Sequence, residues 1–219
     1  MKEVYFISGL GADRRLLEYL DLKNVHVHYI SWIAPEKNET WEAYAQRLTK
    51  QIIHPRPILI GVSMGGMMAI EINKIIDVEK TILISSSKTR REIPPYFHLL
   101  QYFKVHRWIN YKWITRMGLF VGQLLFGPTN KAEKKLLKEI IQDTDETFFK
   151  WAWDRVANWR NQYIPPHLIH IHGTQDHMLP ILFIKPDYKI KGGTHLMVFH
   201  KAEEISKVIN KYINGKRSR

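Results

Sequence analysis

Gly61-Val62-Ser63-Met64-Gly65 is the segment of this chain best suited to chemistry. It matches the pattern G-x-S-x-G, follows the apolar run Pro57–Ile60, and precedes a helical pattern carrying Met67, Met68, Ile70 and Ile75. A sharp strand-to-helix turn of this kind forces its serine into a strained backbone conformation. Glycines two before and two after remove side chains that would clash there. Gly66 adds a small residue where the helix crosses the sheet. The competing reading is a glycine-rich turn whose serine only caps the helix.

A serine hydroxyl is a weak nucleophile and needs a base, and the base needs a carboxylate to hold its tautomer and stabilise its charged form. On such a turn both follow the serine along the chain, acid before histidine. Asp176 is the candidate acid. It stands in His172-Gly173-Thr174-Gln175-Asp176, after the strand-like run His167–Ile171, in the kind of loop where open α/β sheets place their sites. Asp187, at the start of the run Asp187–Ile190, is the alternative. His195 is the candidate base, in Gly192-Gly193-Thr194-His195-Leu196. His200 is its nearest competitor but falls at a helix start. The interval from Asp176 to His195 leaves room for one helix and one strand. His26, His28, His170 and His172 alternate along strand-like runs and read as structural. No H-x-x-x-H or carboxylate cluster points to a metal, and nothing calls for a cofactor.

Acyl chemistry also needs donors for the developing oxyanion. The backbone N–H of Met64, next after the serine, is one candidate. The loop Ser8-Gly9-Leu10-Gly11-Ala12-Asp13 follows the first strand, and the Leu10 N–H is the second. Its G-x-G lacks the third glycine and the acidic partner of a dinucleotide site.

These residues need elements to hold them. Val4–Ile7, Val25–Ile30, Ile58–Ile60 and Thr81–Ile84 read as buried strands. Thr40 caps a helix marked by Trp41, Tyr44, Ala45, Leu48 and Ile52, and Pro55 and Pro57 end it. Strand–helix alternation predicts a mostly parallel twisted sheet with helices on both faces. Residues 94–160 differ. Pro94-Pro95 opens them, and Tyr96, Phe97, Tyr102, Phe103, Trp108, Tyr111 and Trp113 crowd their first part. Asn130 with Glu133 starts one helix, and Asp143 with Glu146 starts another. Pro165-Pro166 precedes the return of strand texture at Leu168–Ile171. The last helix runs over residues 202–213. The expected layout is a core of residues 1–93 and 161–219 with a helical insertion at 94–160.

Composition narrows the field further. The chain has 219 residues and is 45% hydrophobic, enough for a packed core without staples. It has no cysteine, which excludes disulfides, thiolate metal sites and a cysteine nucleophile. No signal peptide or membrane-length apolar run is visible, so a cytoplasmic protein is expected. Net charge is +12, of which residues 1–93 carry only +2. A solvated basic surface explains that excess. An acidic carrier protein or anionic surface is the alternative partner, and no nucleic-acid module is present. The terminal Lys216-Arg217-Ser218-Arg219 reads as a frayed tail.

On these motifs the chain resembles the α/β-hydrolase superfamily. The resemblance rests on GVSMGG at 61–66, HGTQD at 172–176 and GGTH at 192–195, and extends through 1–93 and 161–219. It is strongest toward small carboxylesterases, similar to those that cut the methyl ester of pimeloyl-acyl carrier protein. The resemblance implies an α/β-hydrolase fold, a helical lid at 94–160, and a serine esterase or thioesterase with Ser63, Asp176 and His195 as its catalytic triad. Gly9, Gly11, Gly61 and Gly65 would shape the oxyanion loop and the nucleophile elbow. The same triad also serves peptidases, C–C hydrolases and lyases, and some relatives bind without turnover. Family members commonly carry His-Gly-x-Gly at the oxyanion loop, where this chain has Ser8-Gly9-Leu10-Gly11.

Overall fold

The strands pair, all in parallel, in the order β2-β1-β3-β4-β5-β6. They are β1 (Lys2–Ile7), β2 (Val25–Ile30), β3 (Ile58–Val62), β4 (Lys80–Ile84), β5 (Leu168–Gly173) and β6 (Tyr188–Ile190). The computed structural model describes residues 1–11, 14–97 and 122–215. The aromatics expected at Tyr102, Phe103, Trp108, Tyr111 and Trp113, with Ala12, Asp13 and the terminal four residues, lie outside the described residues.

Burial explains this order. Every residue of β3 and β4 is buried, as expected for central parallel strands covered on both faces. Successive side chains of β1 alternate between two layers. Val4 and Phe6 join the layer of Ile205, Ile209 and Ile213, while Tyr5 and Ile7 join that of Tyr44, Leu48 and Met68. Each fully buried aliphatic side chain contributes about 1.5–3 kcal/mol. The expectation of a buried strand at Val25–Ile30 is corrected. β2 is the sheet edge, and of its six residues only Ile30 is buried.

The helices carry the caps their sequences announce. In α1 (Trp41–Leu48), Thr40 Oγ1 accepts from Ala43 N–H at 3.2 Å. α2 (Met64–Asn73) leaves Ser63 directly and ends before Ile75. In α3 (Lys131–Asp143), Asn130 Oδ1 accepts from Glu133 N–H, and the Glu133 carboxylate accepts in return from Asn130 Nδ2 and Thr129 N–H. α4 (Glu146–Ala157) is capped by Asp145 rather than Asp143. Thr144 is extended and separates the two helices, so Asp143 closes α3 and the next carboxylate starts α4. α5 (Met197–His200) and α6 (Ala202–Asn214) complete the described chain. Lys80 Nζ, at the start of β4, donates to the last carbonyls of α6 at Tyr212 and Ile213, where the helix dipole favours a cation.

The aromatics of α4 fold back on the sheet layer. Trp151 lies 4.3 Å from the Tyr44 ring and stacks on Trp41, and Phe148 packs 5.5 Å from Trp32. Beyond α4, Trp159 Nε1 donates to the buried Glu71 carboxylate at 2.7 Å, which also pairs with Lys74. Among the described residues no helix is long and apolar enough to cross a membrane.

Candidate active site

The sheet has its topological switch between β1 and β3. The chain leaves β1 toward β2 on one side, and β3 leads toward β4 on the other. The carboxyl ends of those two strands are where an open parallel sheet opens a crevice. Ser8-Gly9 follows β1 and Ser63 follows β3, so both border it.

Ser63 has φ 53 and ψ −122, a left-handed conformation that a non-glycine residue adopts only when its surroundings hold it there. Its N–H donates to Ile84 O at 2.9 Å, and its carbonyl accepts from Ser86 Oγ at 2.7 Å and Gly66 N–H at 3.0 Å. Gly65 lets the turn sit against β1, since a Cβ there would stand 2.2 Å from Ile7 O and 2.4 Å from Ser8 O. The elbow is therefore gripped by β1 on one side and by the end of β4 on the other.

His195 Nε2 lies 3.0 Å from Ser63 Oγ, and its Nδ1 lies 2.8 Å from Asp176 Oδ2. A carboxylate only accepts, so Nδ1 carries the proton and Nε2 presents a lone pair to the serine hydroxyl. Asp176 and His195 are almost wholly buried, where such bonds are electrostatically strong. The other Asp176 oxygen accepts from Leu179 N–H at 2.8 Å. The Phe126 and His195 rings pack edge to face with their centroids 5.3 Å apart.

The competitors are placed elsewhere. Asp187 Oδ2 accepts from His170 N–H at 2.8 Å, and Asp187 N–H donates to His170 O. Its carboxylate thus pins the start of β6 to β5. His200 Nδ1 stands 3.6 Å from Glu133, on α3. The interval between Asp176 and His195 holds turns and the expected strand, β6, but no helix, which corrects the helix expected there.

Two buried histidines extend the chain of contacts. His172 Nε2 donates to Leu179 O at 2.8 Å and lies 3.4 Å from Asp176 Oδ2. Its Nδ1 is 3.3 Å from His170 Nε2, so it accepts from that N–H. Burial depresses the pKa of His172 against the pull of the Asp176 charge. Burial, then the neighbouring His172 and Lys88, pushes that of His170 well below 6.5. His170 Nδ1 has no hydrogen-bond partner among the described residues. The reading of these two as structural residues did not foresee that His172 touches Asp176. The alternation along β5 was the only signal, because the contact is made through the fold.

The loop after β1 lies against Ser63. A Cβ on Gly9 would stand 3.3 Å from Ser63 Cβ, so a side chain there would crowd the serine. Ser8 opens that loop. Its hydroxyl lies 2.8 Å from Tyr29 OH and accepts from Trp32 Nε1 at 3.2 Å, and the same indole N–H reaches Gly9 O at 3.3 Å. Burial and then the Asp176 charge raise the Tyr96 hydroxyl to about 12, so it stays protonated and donates to Met178 O. The metal-ligand grouping among the described residues, Glu3 with His28 and His54, sits toward the amino end of β1 and away from Ser63.

The model of the alpha/beta hydrolase family matches residues 4–208. No curated protein matches the sequence. Among solved structures, an esterase from Exiguobacterium antarcticum superposes with a TM-score of 0.77 at 15% identity, covering 98% of this chain and 92% of that one. A bromoperoxidase from Bacillus anthracis superposes at 0.71 with 15% identity, covering 97% and 92%. A meta-cleavage product hydrolase from Pseudomonas fluorescens superposes at 0.69 with 14% identity, covering 98% and 91%. At such identities the likeness is one of fold.

Proposed function

The chain belongs to the alpha/beta hydrolase family, and on that premise we propose that it is a serine hydrolase cleaving a carboxylic ester or thioester through an acyl-enzyme. The observation that carries this reading is the unbroken contact from Ser63 Oγ to His195 Nε2 at 3.0 Å and from His195 Nδ1 to Asp176 at 2.8 Å.

In this reading Ser63 Oγ attacks the carbonyl carbon while His195 Nε2 takes its proton. Asp176 holds the imidazole in the required tautomer and stabilises its charged form. The tetrahedral oxyanion is held by the Met64 and Leu10 N–H groups. Collapse of the intermediate expels the alcohol or thiol, which receives the proton from His195. Water, deprotonated by the same imidazole, then releases the acid. Gly9 and Gly11 let the oxyanion loop approach, and Gly61 and Gly65 shape the elbow. The insertion at 94–160 serves as the lid, and Phe126, whose ring packs against His195, borders the bound acyl group.

Hydrolysis of p-nitrophenyl esters from acetate to palmitate tests the assignment, with Ser63→Ala alongside. Turnover should vanish in the variant and the protein should remain folded. A fluorophosphonate should label Ser63 alone. Full activity in Ser63→Ala would overturn the reading, and the chain-length optimum of the parent measures the depth of the acyl site.

A further inference from the structure

The exposed edge of the sheet carries a second cluster of reactive side chains. Pairing of β1 with β2 sets Glu3 opposite His26 and Tyr5 opposite His28. Because side chains alternate along a strand, these four project from one face. His54, in the turn before β3, reaches the same face. Glu3 Oε2 lies 2.6 Å from His28 Nε2 and 3.9 Å from His54 Nδ1, and Glu3 Oε1 lies 3.1 Å from His26 Nδ1. One ligand atom from each of Glu3, His28 and His54 falls within 4.8 Å of the others.

We propose that Glu3, His28 and His54 form a binding site for a divalent transition-metal cation of the zinc class. The donors are two imidazoles and one carboxylate, a set that suits zinc, copper or nickel and not the all-oxygen preference of calcium or magnesium. The rings are held in place beforehand. His28 stacks on the Tyr5 ring at 4.7 Å, and the His28 and His54 rings lie 4.8 Å apart. Tyr5 OH accepts from Ile53 N–H and lies 2.7 Å from His54 Nδ1, and in the tautomer with Nδ1 unprotonated it donates to that lone pair. A bound cation takes over that lone pair, which requires His54 to close by roughly 1 Å to reach metal–nitrogen distances near 2.1 Å. His26 orients the second oxygen of the carboxylate, the kind of outer support that tunes a metal site.

Access also fits. The Glu3, His28 and His54 side chains are 24%, 35% and 32% exposed, open enough for an aqueous ion to enter. A groove of about 470 Å³ along Ile52–Pro57 passes beside His54. A cation here would tie the edge strand β2 to β1 and to the turn before β3, without touching Ser63.

Zinc titration of the protein without a polyhistidine tag, followed by calorimetry, tests the proposal. One zinc should bind per chain, with affinity falling as pH drops, because the ligands must be deprotonated to bind. His28→Ala and His54→Ala should each weaken binding by roughly tenfold or more, with the far-ultraviolet circular dichroism of each variant compared to the parent. Cobalt(II) added to the unsubstituted protein supplies a readout that needs no variant, since its visible absorption should develop at one equivalent and be abolished by zinc. Absence of zinc binding by the parent overturns the site, and so does equal affinity in the doubly substituted protein.

Discussion

The Trp32 indole N–H is shared between Ser8 Oγ at 3.2 Å and Gly9 O at 3.3 Å. The Ser8 hydroxyl also meets Tyr29 OH. The loop beside Ser63 is thus braced from β2 and the segment after it. Trp32→Phe keeps the packing against Phe148 and removes the donor. It should lower kcat about tenfold with KM nearly unchanged, because a displaced backbone donor is felt mainly in the transition state. Steady-state kinetics on a p-nitrophenyl ester measure the split. An unchanged kcat would show that the indole bond does not hold the loop.

Asp176→Asn should lower kcat about ten-thousandfold, since the amide can stabilise the wrong imidazole tautomer. The bond from Leu179 N–H to Oδ1 survives the change, so the thermal midpoint should move little. Kinetics and a melting curve on the same preparation separate these two effects. Asp187→Asn, by contrast, should leave kcat near the parent value, because the bonds of Asp187 run to the β5 backbone at His170.

Gly65→Ala should unfold or strongly destabilise the protein. The new methyl would stand 2.2 Å from Ile7 O and 2.4 Å from Ser8 O, and both are backbone atoms that cannot rotate away. A loss of about 3 kcal/mol is expected, at the upper end of overpacking costs. Urea denaturation measures it.

The buried pair His170 and His172 should make the fold sensitive to acid. Burial lowers both pKa values beneath 6.5. Below that value the unfolded chain binds protons that the folded chain refuses. Stability from this pair is therefore full above the unfolded pKa and is lost as pH falls toward the folded values. Urea midpoints measured from about pH 8 down to about pH 5 should fall on the acid side. A midpoint flat across that interval would contradict neutral burial.

Much of the fold was legible because its signals are local. Thr40 and Asn130 cap the helices that follow them, since a cap acts within one turn. The runs at 58–60 and 81–84 became central strands because nearly every residue in them is apolar. The edge position of β2 was not legible. Val25–Ile30 is as strand-like as its neighbours, and what exposes it is the absence of a further strand beside it in the described sheet. The cap of α4 moved from Asp143 to Asp145 because two carboxylates in one turn compete and only backbone geometry chooses between them.

The sequence by itself determined the strand–turn–helix around Ser63, the order serine, acid, histidine, and the alternation that makes a parallel sheet. Those follow from glycine spacing, apolar runs and chain order, all properties of neighbouring residues. Only the tertiary structure decided that Asp176 rather than Asp187 faces His195, that Trp32 and Tyr29 serve Ser8, and that Glu3 meets His28 and His54. The first choice depends on which residue lies beyond the end of β5 and which lies against its side. The others depend on register between strands far apart in the chain. Hydrogen bonds and ligand contacts fail within an ångström or two, and no local pattern carries that information.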